Sequence, residues 1–197
     1  MTKKTIVSTL IVSGALLATS AFAQGMYVAG SAGLGIAASS VKTDLDTALT
    51  AGGIKSIKSS MSDGTAMNAA LGYEYNPNLS AEVGYFNSGT LSYTATGTGV
   101  ASIKADTKVT GFQLAAVGTN PLNDKFSVFG KVGYSFLTTK SAVTIGTVKS
   151  TVSEKNNGIG FGFGASYKLV DNIRIKASYE MITSDVSAFL VGVQIKF

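Results

Sequence analysis

From Phe189 to Phe197 every second residue is apolar. Phe189, Val191, Val193, Ile195 and Phe197 share one side, while Ala188, Gly192, Gln194 and Lys196 fall on the other, with Leu190 the exception. A period of two is the signature of a strand whose faces meet different surroundings. Ile173, Ile175, Ala177, Tyr179 and Met181 alternate in the same way with Arg174, Lys176, Ser178 and Glu180. Phe126, Val128, Val132, Tyr134 and Phe136 alternate with Lys125, Ser127, Lys131, Gly133 and Ser135, interrupted by Gly130 and with Phe129 on the wrong side. Eight such segments are predicted, near 26–38, 65–76, 79–90, 107–118, 125–137, 157–168, 173–183 and 187–197. Each runs about 10–13 residues, longer than a typical soluble strand and long enough for a tilted strand to cross a bilayer.

The connections alternate in length. Asn76-Pro77-Asn78, Asn120 to Asp124 and Asp171-Asn172 are tight turns of turn-forming residues. Segments 39–64, 91–106 and 138–156 are long and rich in Ser, Thr, Gly and Lys; the connection near Thr183 to Val186 is short. Short turns on one side and long loops on the other are the pattern of an outer-membrane barrel, in which an up-and-down meander closes and leaves no edge.

A soluble eight-stranded barrel shares the alternation, so the sizes on the two faces decide. The less apolar face is Gly, Ala, Ser and a few charges, too small and too weakly polar to meet water. It suits a narrow bore that side chains nearly fill. In Gly158 to Gly164, the glycines at 158, 160, 162 and 164 face one way and Ile159, Phe161 and Phe163 the other. Strict alternation along a strand denies the strand–turn–helix context of a phosphate-binding glycine loop. The same holds for Gly30 to Gly35. Aromatics fall into two groups, Tyr75, Phe126, Tyr167 and Phe197 at one end of the strands and Tyr85, Tyr134, Phe136 and Tyr179 nearer the other, as two interfacial belts require.

Composition agrees. Charged residues are 14% of the chain, against about 25% in soluble domains. There is no Cys, which removes disulfides and thiol chemistry, and no His, which removes Ser–His pairs and His metal ligands. No Asp–Ser or Lys–Ser constellation stands in their place. No catalytic, cofactor-binding or metal-binding residue is therefore expected. Residues 1–23 read as a cleavable signal peptide: Lys3 and Lys4, an apolar stretch of about 13 residues from Ile6, and Ala21-Phe22-Ala23 before Gln24. The apolar stretch is shorter than the roughly 20 residues of a membrane anchor. The mature barrel domain is then 24–197. Removing the leader takes two of the sixteen basic residues, leaving fourteen against eleven acidic, with no cluster fit to track nucleic acid.

At this point the residues resemble a known family. Gly72-Tyr73-Glu74-Tyr75-Asn76-Pro77 followed by Glu82-Val83-Gly84-Tyr85 is similar to the second and third strands of the OmpA-type outer-membrane barrel. Gly111-Phe112-Gln113-Leu114 resembles its fourth strand and Ile173 to Tyr179 its seventh. The likeness covers most of Gly25–Phe197 and implies an all-β, eight-stranded antiparallel up-and-down transmembrane barrel in the outer membrane, bathed in its lipid. Larger members add a peptidoglycan-binding domain after the barrel. This chain ends at Phe197, so it resembles the barrel-only members.

The resemblance also implies two sets of site residues. Val193, Ile195 and Phe197 match the terminal strand by which the barrel-assembly machinery recognises its clients. Glu82, Lys131 and Lys176 match a lumenal network of opposite charges, although Val117 and Ser166 stand where two further charges are expected. Independently, a Lys at the lipid midplane costs about 2–4 kcal/mol, which places these residues inside, where they can pair. Glu74, Lys168, Arg174 and Glu180 share that parity and are expected to extend the network. Pairing of Glu82 with Lys176 and Lys131 is expected to close the bore. The function implied is a non-enzymatic barrel displaying long surface loops as a surface antigen, in adhesion to host molecules or in envelope integrity. The alternative is a narrow passive channel for small solutes.

Overall fold

A computed structural model describes residues 25–98 and 100–197. The leader expected over residues 1–23 lies outside them. Nine strands and one helix follow in order: β1 (Met26–Ala37), α1 (Ser39–Ala51), β2 (Lys55–Ser62), β3 (Gly64–Asn76), β4 (Leu79–Thr98), β5 (Val100–Pro121), β6 (Phe126–Ile145), β7 (Val148–Val170), β8 (Ile173–Met181) and β9 (Val186–Lys196).

Every pairing is antiparallel. The order β4-β3-β1-β9-β8-β7-β6-β5 returns to β4 through the β4–β5 pair, which closes a ring of eight staves. The ninth strand, β2, does not enlarge the ring. It lies end to end with β3 along the same neighbour, Ser62 opposite Ser92 and Met67 opposite Asn87 of β4.

The three tight turns form as expected, two of them fixed by side-chain oxygens. Asn76 Oδ1 accepts from Asn78 N at 2.9 Å, and Asn123 Oδ1 accepts from the backbone of Lys125 and Phe126 at 2.9 and 2.8 Å. The long connections differ from the loops expected. Strands β4 and β5 run 20 and 22 residues, and β6 and β7 run 20 and 23, so 91–98, 100–106, 138–145 and 148–156 are strand extensions. Their Thr, Val, Tyr and Ser content suits a pleated surface, and the ladder continues wherever the neighbouring strand does. Beyond the barrel, β6 turns into β7 through Gly146-Thr147, with Gly146 at φ +60. Segment 39–64 folds into α1 and β2.

One irregularity sets which side chains meet inside. Between Asn87 and Thr90, β4 carries one residue more than β5. The bulge sits at Gly89, whose φ of +71 lies where a Cβ is strained. Inward parity therefore passes from Ser80, Glu82, Phe86 and Ser88 to Leu91, Tyr93 and Ala95, all buried. The opposite parity meets lipid, with Phe163 at 66% and Phe112 at 60% exposed. No helix among the described residues is long and apolar enough to cross a membrane; strands do so.

Candidate functional site

The bore divides into a charged lower half and an apolar upper half. In the lower half Glu82 is the hub. Lys176 Nζ lies 3.4 Å from its Oε1 and Lys131 Nζ 3.5 Å from its Oε2, while the Tyr27 hydroxyl donates to Oε1 at 2.8 Å. Lys131 also donates to Glu180 at 3.3 Å, and Ser178 Oγ donates to the same carboxylate at 3.3 Å. Two carboxylates and two ammonium groups balance, which is the condition for burying them. Nearer the tight turns Glu74 takes Arg174 at 3.1 Å, Gln194 Nε2 at 3.4 Å and the ammonium of Lys196.

Glu82, Lys131, Lys176 and Glu180 thus come together in one cluster, and Glu74 and Arg174 in a second. Lys168 joins neither, since its ammonium lies 3.6 Å from Asp171 at the β7–β8 turn. Lys196 and Tyr27 belong to the clusters without having been singled out as members. Lys196 was legible from its parity on β9, whereas Tyr27 needed the register that sets it opposite Gly72. Val117 and Ser166 are buried in the bore, as a neutral pair of positions.

The two residues that broke the alternation both face inward. Phe129 lies beneath Lys176, whose Nζ is 4.6 Å from the ring centre. Leu190, fully buried, joins Ala66, Phe86, Leu91, Val109, Leu137, Ile182, Val186 and Ala188 in an apolar cluster above the charges. This cluster fills the bore where the strands leave the lower network.

Outside that end stands a small folded unit. Leu45 and Leu49 of α1, with Ile54, Ile57 and Met61, pack against Tyr93, Ala95 and Ile103 of the β4–β5 hairpin. At 13 residues and with no side-chain N-cap, α1 is too short to hold itself and depends on this packing. Asp46 pins it. Lys42 Nζ at 2.8 Å, Ser59 Oγ at 2.8 Å and Tyr93 Oη at 2.5 Å all donate to its carboxylate. The bond from Lys42, then those from Tyr93 and Ser59, hold the Asp46 pKa at about 2. Desolvation, with the Asp46 carboxylate second, pushes Tyr93 up to about 12. On the outer face of the hairpin Asp106 accepts from Ser92 at 2.6 Å and pairs with Lys104 at 3.0 Å; the Ser92 bond holds its carboxyl below the usual range.

The terminal strand β9 closes the ring against β1, from Tyr27 opposite Lys196 to Ala37 opposite Val186. Val193 turns outward, Ile195 follows on the same side, and Phe197 N donates to Met26 O at 3.0 Å. Among the described residues no group of His, Cys, Asp and Glu is gathered as a metal site.

Known structures share this architecture. Neisserial surface protein A superposes with a TM-score of 0.57 at 20% identity, over 88% of this chain and 97% of that one. OprG from Pseudomonas aeruginosa gives 0.53 at 13% identity, over 88% and 96%. At such identities the likeness is one of fold. Among curated proteins no sequence matches this chain. The model of the outer membrane protein beta-barrel domain matches residues 8–197, and the chain belongs to that family, a barrel of the cell outer membrane.

Proposed function

We propose that the protein is a non-enzymatic scaffold that works through its external unit, as a surface antigen, in adhesion or in envelope integrity. The observation that carries this reading is the contrast between the two ends. At the end with long hairpins, α1 and β2 are ordered by their own apolar core and by the Asp46 contacts. At the other end the described residues make tight turns between strands. Rigid scaffolds carry function on such connecting segments. The bore beneath is filled, by the balanced charges around Glu82 and by Phe86, Leu137, Ile182 and Leu190 above them.

Protease added to intact cells tests the orientation: cleavage within 38–62 or at the hairpin tips is expected, and full protection of all three long connections would overturn it. Partners reached by the external unit are host molecules or other envelope components. Recognition by the barrel-assembly machinery is assigned to β9, with Val193, Ile195 and Phe197 as its signal. Their outward parity on the closing strand supports that assignment.

The second reading is a narrow passive channel. It draws on two lumenal cavities of about 20 and 30 Å³, one lined by Tyr27, Glu74 and Arg174, the other by Asn68, Glu82 and Glu180. Each has room for water and little more. Liposome swelling with graded solutes separates the readings: the scaffold leaves swelling at the rate of empty vesicles, and uptake of small sugars would favour the channel.

A further inference from the structure

Three lysines stand together on the outward face just above the lipid-facing aromatics. Lys108 of β5 is directly opposite Lys140 of β6. Lys155 of β7 is opposite Thr138, one diagonal step from Lys140, which faces Ser153. All three are exposed and share the parity of Phe112, Phe136 and Ile159. Like charges directly opposite on a sheet destabilise it, and diagonal neighbours are still within reach. Among the described residues none of the three has a carboxylate in an ion pair. The nearest acid on this face, Asp106, is taken by Lys104 and Ser92, and Glu154 has the opposite parity.

Their height is informative. Phe112 and Phe136 are paired at one level, Thr138 and Lys155 lie two residues above, and Lys108 and Lys140 four. At about 3.3 Å per residue that is roughly 7 and 13 Å along the strand, less when tilted. The aromatic girdle sits at headgroup depth, so these ammonium groups lie within and just beyond the headgroups, facing lipid and not the bore. An unpaired cationic cluster there is complementary to anionic headgroups.

The geometry points to a lipid-binding site in which Lys108, Lys140 and Lys155 together hold a phosphorylated headgroup of the outer leaflet. It rests on the external placement of the long hairpins in the proposed function. A phosphate with two or more negative charges, seated between the opposed lysines, turns their repulsion into a shared contact.

The test folds the full chain into phosphatidylcholine nanodiscs doped with a diphosphorylated glucosamine-disaccharide lipid or its dephosphorylated counterpart. Reductive methylation of each lysine is followed by mass spectrometry. With the phosphorylated lipid, Lys108, Lys140 and Lys155 are expected to react more slowly by about fivefold, the factor each basic side chain contributes at an anionic surface, while Lys42 on α1 is unchanged. The thermal midpoint is expected to rise for the parent and not for K108Q/K140Q/K155Q. Equal reactivity in the two discs, an equal rise in the triple variant, or the same protection from millimolar inorganic phosphate without the phosphorylated lipid would each overturn the proposal. Both leaflets of the disc carry the lipid, so the result is independent of orientation, which surface proteolysis reads separately.

Discussion

Lys176 rests its ammonium over the ring of Phe129, 4.6 Å from the centre, while the same nitrogen lies 3.4 Å from Glu82. The aromatic is thus a second acceptor for a buried cation. Phe129→Leu is expected to destabilise the barrel, with a coupling to Lys176 of about 2 kcal/mol, the magnitude for a cation–π pair shielded from water. A double-mutant cycle of Phe129→Leu and Lys176→Met, read by urea unfolding in lipid vesicles, measures it; strict additivity would remove the ring's electrostatic role.

Glu82 joins two ammonium groups and a phenol, so its loss is asymmetric. Glu82→Ala leaves Lys176 without a carboxylate and Lys131 with Glu180 alone. Removing one member of a buried ion pair costs about 3–5 kcal/mol, and an unfolding free energy in urea lowered by that amount is expected. Single-channel recordings in planar bilayers give the functional half. Glu82→Ala alone is expected to stay at the parent's conductance, because the apolar cluster above it remains. Adding Phe86→Ala and Leu190→Ala is expected to open the bore, and no opening would place the constriction elsewhere.

Gly72 faces Tyr27 across the β1–β3 pair, and a Cβ at residue 72 would fall 2.0 Å from the Tyr27 ring. The ring cannot retreat without leaving Glu82. Gly72→Ala is therefore expected to cost about 1–3 kcal/mol, as overpacking does. Tyr27→Phe/Gly72→Ala is expected to recover part of it, since the hydroxyl is both the ring's tie to Glu82 and one of the atoms the new Cβ meets. A Gly72→Ala variant as stable as the parent would show that β1 can shift.

The ring of staves was legible because lipid outside and a narrow bore inside impose opposite demands on alternate residues, and that contrast survives in Phe161–Gly162–Phe163 and its like. The lumenal charges were legible for the same reason: Glu82, Lys131, Lys176 and Glu180 share the inward parity, the opposite of the one that lipid forbids to charge. Phe129 and Leu190 break the alternation because the bore is not uniform along its length: a cation takes a ring and the upper end takes an apolar plug. The outer unit was hidden. Beyond the membrane there is no lipid to enforce alternation, Thr- and Ser-rich strands look like loops, and α1 is held by partners distant in sequence, such as Tyr93, 47 residues from Asp46. The bulge at Gly89, which turns Tyr93 toward α1, leaves no mark in hydropathy.

That anchor responds to pH at both extremes. Asp46 titrates at 3.8 when free and at about 2 in the fold, so its contribution is complete above pH 4 and is lost as pH falls from about 4 toward 2. Tyr93 titrates at 10.0 when free and at about 12 in the fold, so its contribution holds below pH 10 and is lost as pH rises toward 12. The chain has no cysteine, so a single Thr43→Cys carries a spin label on α1 without further change. Its spectrum is expected to be immobile from pH 4 to 10 and to gain a mobile component below and above that window, while the barrel stays folded. In Asp46→Asn the mobile component is expected at neutral pH, without the acid transition. A label whose mobility is the same at pH 2 and pH 7 would show that the apolar contacts of Leu45 and Leu49 hold the helix unaided.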